Sequence, residues 1–106
     1  MKTKLLIQLK DKQVIDLSKV IYIKSSGHYA DFFCIEKSQK VISRTSLKAL
    51  STTLPAALFV RVHRSYIINL KYVKKFNKQQ VILQDRIKIP LSRKINLNDY
   101  IPKSRL

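Results

Sequence analysis

Apolar residues in this chain return at every second position, in short run after short run. Leu5, Ile7 and Leu9 share one face, Asp11-Lys12-Gln13 interrupts them as a turn, and Ile15 and Leu17 take the pattern up again. A second pair follows at 21–24 (Ile-Tyr-Ile-Lys) and 29–36 (Tyr-Ala-Asp-Phe-Phe-Cys-Ile-Glu), joined by Ser-Ser-Gly-His, with 40–44 as the return strand. Further runs lie at 60–62, 65–70, 72–76, 80–83 and 86–90. A period of two is that of a half-buried strand. Tyr and β-branched residues suit such a pleated surface.

The stretch 46–55 breaks this rhythm. Leu47, Leu50 and Leu54 fall at helical spacing, Thr45 or Ser46 can cap the start, and Pro55 forbids continuation. One short helix is predicted near residues 46–54. The tail 92–106 fits a helical turn followed by a loose end. Gly27 is the sole glycine, so other tight turns needing positive φ must use Asn, Asp or Lys-rich sequences. The class that follows is mostly β, with many short strands and one short helix. With 106 residues the chain is read as a single domain, 1–106, large enough for a modest core. An apolar content of 45% excludes a disordered tail.

Charge narrows the function. The chain carries 22 Lys+Arg against 6 Asp+Glu, a net of +16. Residues 1–36 hold six basic and four acidic residues, whereas 37–106 hold sixteen and two, a net of +14. Such an imbalance in a packed-looking sequence implies a polyanionic partner rather than a merely solvated surface. Within it, Phe-Val-Arg-Val-His-Arg-Ser-Tyr-Ile-Ile-Asn-Leu (59–70) sets Arg61, His63 and Arg64 among apolar residues. A core strand has no need of them, so they point to something outside the protein.

Catalysis finds little support. His28, His63 and Cys34 show no metal-ligand spacing, and one glycine cannot build a phosphate-cradling loop. The acids Asp11, Asp16, Asp31, Glu36, Asp85 and Asp99 are scattered, and none is followed two positions later by lysine, as one large nuclease class requires. No enzyme activity, metal or cofactor is expected. Cys34, the sole cysteine, cannot form an intrachain disulfide and reads as a small buried hydrophobe. No signal peptide or membrane-length apolar run occurs, which predicts a cytoplasmic protein. A membrane-surface module would need a basic amphipathic helix, but 46–54 carries only Lys48. An RNA-binding β-barrel or ribosomal-type module shares the charge and the strands. Such modules commonly expose aromatics for stacking, whereas the aromatics here mostly sit within strand patterns and the RNA-binding signature K/R-G-F/Y is absent.

The central stretch resembles the hallmark of the LytTR DNA-binding domain family, F-x-R-[VC]-H-[RN]-S-[YF]-[IV]-[VI]-N. Ile21-Tyr22-Ile23-Lys24 with the following Ser-Gly-His-Tyr resembles the family's I-x-Y-I-E-x-x-G-x-Y, with Lys24 in place of the usual acid. Ser46-Leu47 and Leu54 resemble its S-L-x-x-L-x-x-x-L helix, and Ile89-Pro90-Leu91-Ser92-Arg93 its closing I-P-V-S-R. The likeness runs from about residue 4 to 100.

The resemblance implies an elongated stack of short antiparallel sheets and sequence-specific binding of double-stranded DNA by a bacterial transcription regulator. Loops at one edge of the sheets would enter the grooves. The matching positions are Ser26, Gly27, His28, Tyr29 and Ala30, the turn at Arg64, and the turn at Arg93. Arg64 and Arg93 could bind guanine bidentately. Ser65, Ser92, Lys71 and Lys94 would take phosphates. His63 is either a phosphate donor or a hydrogen-bonded structural histidine, while Arg61 is expected to pack its stem and pair locally. Tyr22, Tyr66 and Tyr72 are expected in the core, and the lysines at 74, 75, 78 and 88 as a diffuse steering field. The resemblance further implies direct-repeat half-sites and a monomeric isolated domain; the family usually joins the domain to an N-terminal receiver domain, for which this chain has no room, so it is expected to be either an excised output domain or a stand-alone member.

Overall fold

The computed structural model describes residues 5–36 and 40–102. In chain order the strands are β1 (Leu6–Gln8), β2 (Val14–Asp16), β3 (Val20–Ser26), β4 (Tyr29–Cys34) and β5 (Val41–Ser43), then helix α1 (Leu47–Thr53). After it come β6 (Phe59–His63), β7 (Tyr66–Asn69), β8 (Val73–Phe76), β9 (Gln80–Leu83) and β10 (Lys88–Pro90). Short 3-10 turns occupy Leu17–Lys19, Leu70–Tyr72, Gln84–Arg86 and Leu97–Asp99.

The strands form three antiparallel sheets: a β1-β2 hairpin, a central sheet of order β5-β4-β3-β7-β6, and an outer sheet of order β10-β9-β8. The central sheet is covered along one face and, over β3, β7 and β6, along the other as well. On one face Ile23, Ala30, Phe32, Phe59 and Ile67 pack against Leu9, Ile15 and Leu17 of the hairpin region and Leu47, Leu50 and Leu54 of the helical segment. On the other, Ile21, Val60, Val62 and Ile68 meet Val81, Leu83 and Ile89 of the outer sheet, with Tyr72, Leu91 and Leu97. Each fully buried side chain of this kind contributes about 1.5–3 kcal/mol.

The helix begins where expected. Ser46 takes an extended conformation and its Oγ accepts from the Ala49 N–H at 3.0 Å, and the chain turns extended again at Leu54, before Pro55. Turn chemistry also matches the scarcity of glycine: Lys12 (φ 69) turns the β1-β2 hairpin, and Asp85 (φ 62) with Arg86 (φ 61) turns β9 into β10. Two irregularities escape a strict period of two. A bulge between Val20 and Tyr22 lets both Ile21 and Tyr22 serve the outer-sheet side, while Val20 and Ile23 face the hairpin. Tyr22 then stacks on Phe33 at 4.4 Å. A second bulge, in β6, makes Val62 the extra residue between the pairs Arg61–Ile67 and His63–Tyr66.

Three local expectations change. Leu17 belongs to a 3-10 turn rather than to β2, because Asp16 caps that turn by accepting from Ser18 N at 3.0 Å. The joint at Ser-Ser-Gly-His is tighter than a four-residue loop, since β3 runs to Ser26 and only Gly27-His28 turn. The tail is held in part: Leu97 is buried and Asn96 caps its turn, while 103–106 lie outside the described residues.

Candidate nucleic-acid interface

One end of the central sheet collects the loops that matter. β3 ends there at Ser26, and β4 leaves from Tyr29 after the Gly27-His28 turn. Gly27 has φ 60, and a Cβ there would meet nothing within 4 Å, so its backbone conformation, not space, asks for glycine. β6 arrives at the same end and turns at Arg64-Ser65 into β7. Ser25 N donates to Ser65 O at 2.9 Å, which locks this turn beside the end of β3. β6 is an edge strand, and its Val62 O accepts from Ser92 N at 2.7 Å. That bond docks the loop carrying Arg93 and Lys94 beside the Arg64 turn. Leu91 N in turn donates to Gln79 O at 2.9 Å, so the 77–79 turn joins the same rim.

Ser26, Gly27, His28, Tyr29, Arg64, Arg93 and Lys94 are exposed on this rim, with Ser65 and Ser92 half-buried beneath them. Among the described residues the ion pairs are Lys19–Glu36 at 3.4 Å and Lys40–Asp31 at 3.7 Å; neither involves a rim cation. Among the described residues, then, no carboxylate pairs with the positive charge of the rim. Among the described residues no group of three or more His, Cys, Asp or Glu could hold a metal ion. No helix among them is long and apolar enough to cross a membrane.

Two sequence-derived positions, Ala30 and Lys71, need correction, and His63 meets the hydrogen-bonded one of its two expected alternatives. Ala30 is 0% exposed and packs in the core beside Phe32, because alternation along β4 turns it inward one residue after the exposed Tyr29. Lys71 is exposed but sits at the opposite end of the sheet. β7 carries the chain away from the rim to Asn69, whose Nδ2 donates to Val20 O, at the start of β3, at 2.8 Å. The seven residues of β3 separate the two ends by roughly 20 Å. His63 is at the rim but half-buried, and its Nδ1 already accepts from Ser65 N at 3.1 Å. Arg61 pairs locally as expected, with Nη2 donating to Arg64 O at 2.8 Å. Tyr72 is buried in the core, and its hydroxyl donates to Ser18 O. Tyr22 and Tyr66 pack partly buried against it.

The structure also adds residues. Arg44 follows β5 onto the rim, exposed, with its guanidinium 5.9 Å from the Tyr29 ring centroid. With Gly27, His28, Thr45 and Ser46 it lines an open cleft. In sequence it merely closes an alternating run, and only the antiparallel pairing of Ala30 with Ser43 shows at which end it emerges. Lys78 and Asn77 line a second cleft with Arg93, which places Lys78 closer to the site than a diffuse field implies.

The model of the LytTr DNA-binding domain family matches residues 10–96. The chain belongs to the LytTR family. It is 30% identical over 86 residues to the heme-containing CO-sensing transcriptional regulator RcoM 2 of Paraburkholderia xenovorans (strain LB400), covering 76% of this chain and 32% of that protein. It is 31% identical over 85 residues to the sensory transduction protein LytT of Bacillus subtilis (strain 168), covering 76% and 34%. This LytTR chain thus spans about a third of the length of the curated relatives it matches. Its fold is also that of a LytTr DNA-binding domain from Bacillus cereus, with a TM-score of 0.69 at 21% identity over 89% of this chain and 90% of the other. The mostly β architecture with one helix is the one the family resemblance implies, and the match favours DNA over the RNA-binding module.

Proposed function

We propose that this LytTR domain binds double-stranded DNA sequence-specifically through its loop rim, as the output module of a bacterial transcription regulator. The observation that carries the reading is the pair of backbone bonds, Ser25 N to Ser65 O and Ser92 N to Val62 O, which set the Gly27-His28, Arg64 and Arg93 loops side by side. Arg64 and Arg93 present the guanidinium fork that matches guanine O6 and N7 in a major groove. Ser26, Gly27, His28 and Tyr29 form the hairpin tip that enters beside them. Ser65, Ser92, Lys94 and the added Arg44 bind phosphates and fix the register. The longest extent of the molecule is 42 Å, enough to face more than one helical turn of about 34 Å. No reaction is assigned to the domain; recognition is its work. Its place is the cytoplasm, where bacterial DNA is found. An N-terminal receiver domain supplies the signal, and the isolated domain is a monomer that occupies half-sites repeated in the same orientation.

Selection from random double-stranded DNA, followed by sequencing and anisotropy titration, tests this. The expected result is an enriched motif containing guanines, whose binding is displaced by the same duplex and not by single-stranded RNA. Recovery of no motif, or displacement by RNA at equal concentration, overturns it.

A further inference from the structure

The Arg64-Ser65 turn has an unusual construction. Two-residue hairpin turns favour the primed types, which need positive φ, because their twist matches that of the strands. Neither Arg64 nor Ser65 has a positive φ. The turn must therefore be held by something besides its own backbone preference. Three devices surround it. The bulge at Val62 shifts the register just before the turn. Arg61 Nη2 donates to Arg64 O at 2.8 Å from one side. His63 Nδ1 accepts from Ser65 N at 3.1 Å, and its ring leans on Tyr66 with centroids 5.6 Å apart.

We infer that Arg61 and His63 are positioning residues: they staple the β6-β7 turn so that Arg64 is aimed outward in one fixed orientation. The inference rests on the reading of Arg64 as a DNA-facing residue and explains the placing of three cationic or titratable side chains around one turn. One polar atom of each, Arg61 Nη2 and His63 Nδ1, is bonded to the backbone of residues 64 and 65, which fixes the direction in which the Arg64 side chain leaves the turn. Specificity in a bidentate contact depends on orientation, so loosening the turn costs sequence discrimination before it costs general affinity.

The test compares variants of the full chain by the ratio of affinity for the selected operator to affinity for random duplex, with a thermal melt for each. His63→Asn keeps an acceptor, Oδ1, at the place of Nδ1 and removes everything at Nε2. His63→Phe keeps the ring against Tyr66 and removes the acceptor. Arg61→Met keeps the stem and removes the donor. The expected result is a ratio reduced about tenfold for His63→Phe and nearly restored for His63→Asn, with a reduced ratio but an unchanged salt slope for Arg61→Met. In an Arg64→Ala background, His63→Phe should lower the ratio no further, since it acts through Arg64.

Equal losses for His63→Asn and His63→Phe would mean that Nε2 itself touches DNA, and overturn the inference. So would a salt slope shallower by about one for Arg61→Met, the mark of a lost phosphate contact. An Arg64→Ala ratio equal to that of the unaltered chain removes the reading beneath it, and is told apart because the single variant alone reveals it. Should His63→Phe fail to fold, Arg61→Met decides.

Discussion

Ser92 N donates to Val62 O at 2.7 Å, and this bond fastens the loop of Arg93 to the strand that runs into Arg64. The two arginines are 29 positions apart in sequence and come from different sheets. They share a rim because an edge strand has outward-facing backbone groups to spare, and one of them takes the loop.

If both arginines read bases, each has its own base position. A bidentate arginine–guanine pair contributes about 1–3 kcal/mol of discrimination. Arg64→Ala and Arg93→Ala should each lower the operator-to-random ratio roughly tenfold and flatten the preference at one position. Lys71→Ala, at the far end of the sheet, should leave both the ratio and the affinity nearly unchanged. Competition titration with thermal melts checks this. An intact ratio in both arginine variants with normal melting would move specificity to the Gly27-His28 hairpin or to DNA shape.

General affinity should come mainly from charge. Neutralising about six phosphates, at about −0.9 each, gives a slope of log K against log salt near −5. Arg44→Ala should make that slope shallower by about one and weaken binding to all sequences alike. Titration at several salt concentrations measures it. A slope near zero would remove nucleic acid as the partner, and an unchanged slope for Arg44→Ala would take that residue off the interface.

Half-sites in the same orientation on one face of the duplex should be spaced by whole helical turns, about 10 base pairs each. Inserting about five base pairs between them should reduce co-occupancy, and inserting about ten should restore it. Footprinting on the three spacings gives the answer. Equal occupancy on all of them would show the sites to be independent.

Acid should weaken the hairpin side of the fold through Asp16. Its Oδ1 accepts from Ser18 Oγ at 2.7 Å, from Ser18 N at 3.0 Å and from Leu5 N at 3.2 Å. The Ser18 hydroxyl bond is the largest influence and holds the carboxyl below its ordinary 3.8, against an opposing push from burial. A lowered folded value means that the contribution is present above 3.8 and is lost as pH falls through the folded value. Asp16→Ala should cost about 1 kcal/mol at neutral pH, as loss of a capping side chain does. That gap should close in acid. Melting of both proteins across the range tests it, and a gap that persists with the carboxyl protonated would assign the effect to packing instead.

Much of this protein was legible in its residues. Alternation marked the strands, Thr45 or Ser46 and Pro55 bounded the helix, Asp11-Lys12-Gln13 marked the first turn, and the 59–70 hallmark named the rim's central turn. These are local matters, set by side-chain period, capping and φ preference within a few residues. Other matters were not local. Ile21 and Val62 break the period because a bulge answers to the partner strand. Lys71 stands seven residues after Arg64 yet at the other end of the sheet, since β7 runs away from the turn, while Arg44 stands twenty residues before it and shares its rim. Ala30 follows the exposed Tyr29 and is buried. By itself, then, the sequence determined which segments are strands, where they cap and turn, and that the chain carries excess positive charge for a polyanion. Only the tertiary structure decided which ends of those strands lie together, because antiparallel pairing and the Ser25–Ser65 and Val62–Ser92 bonds form between segments that no spacing along the chain relates.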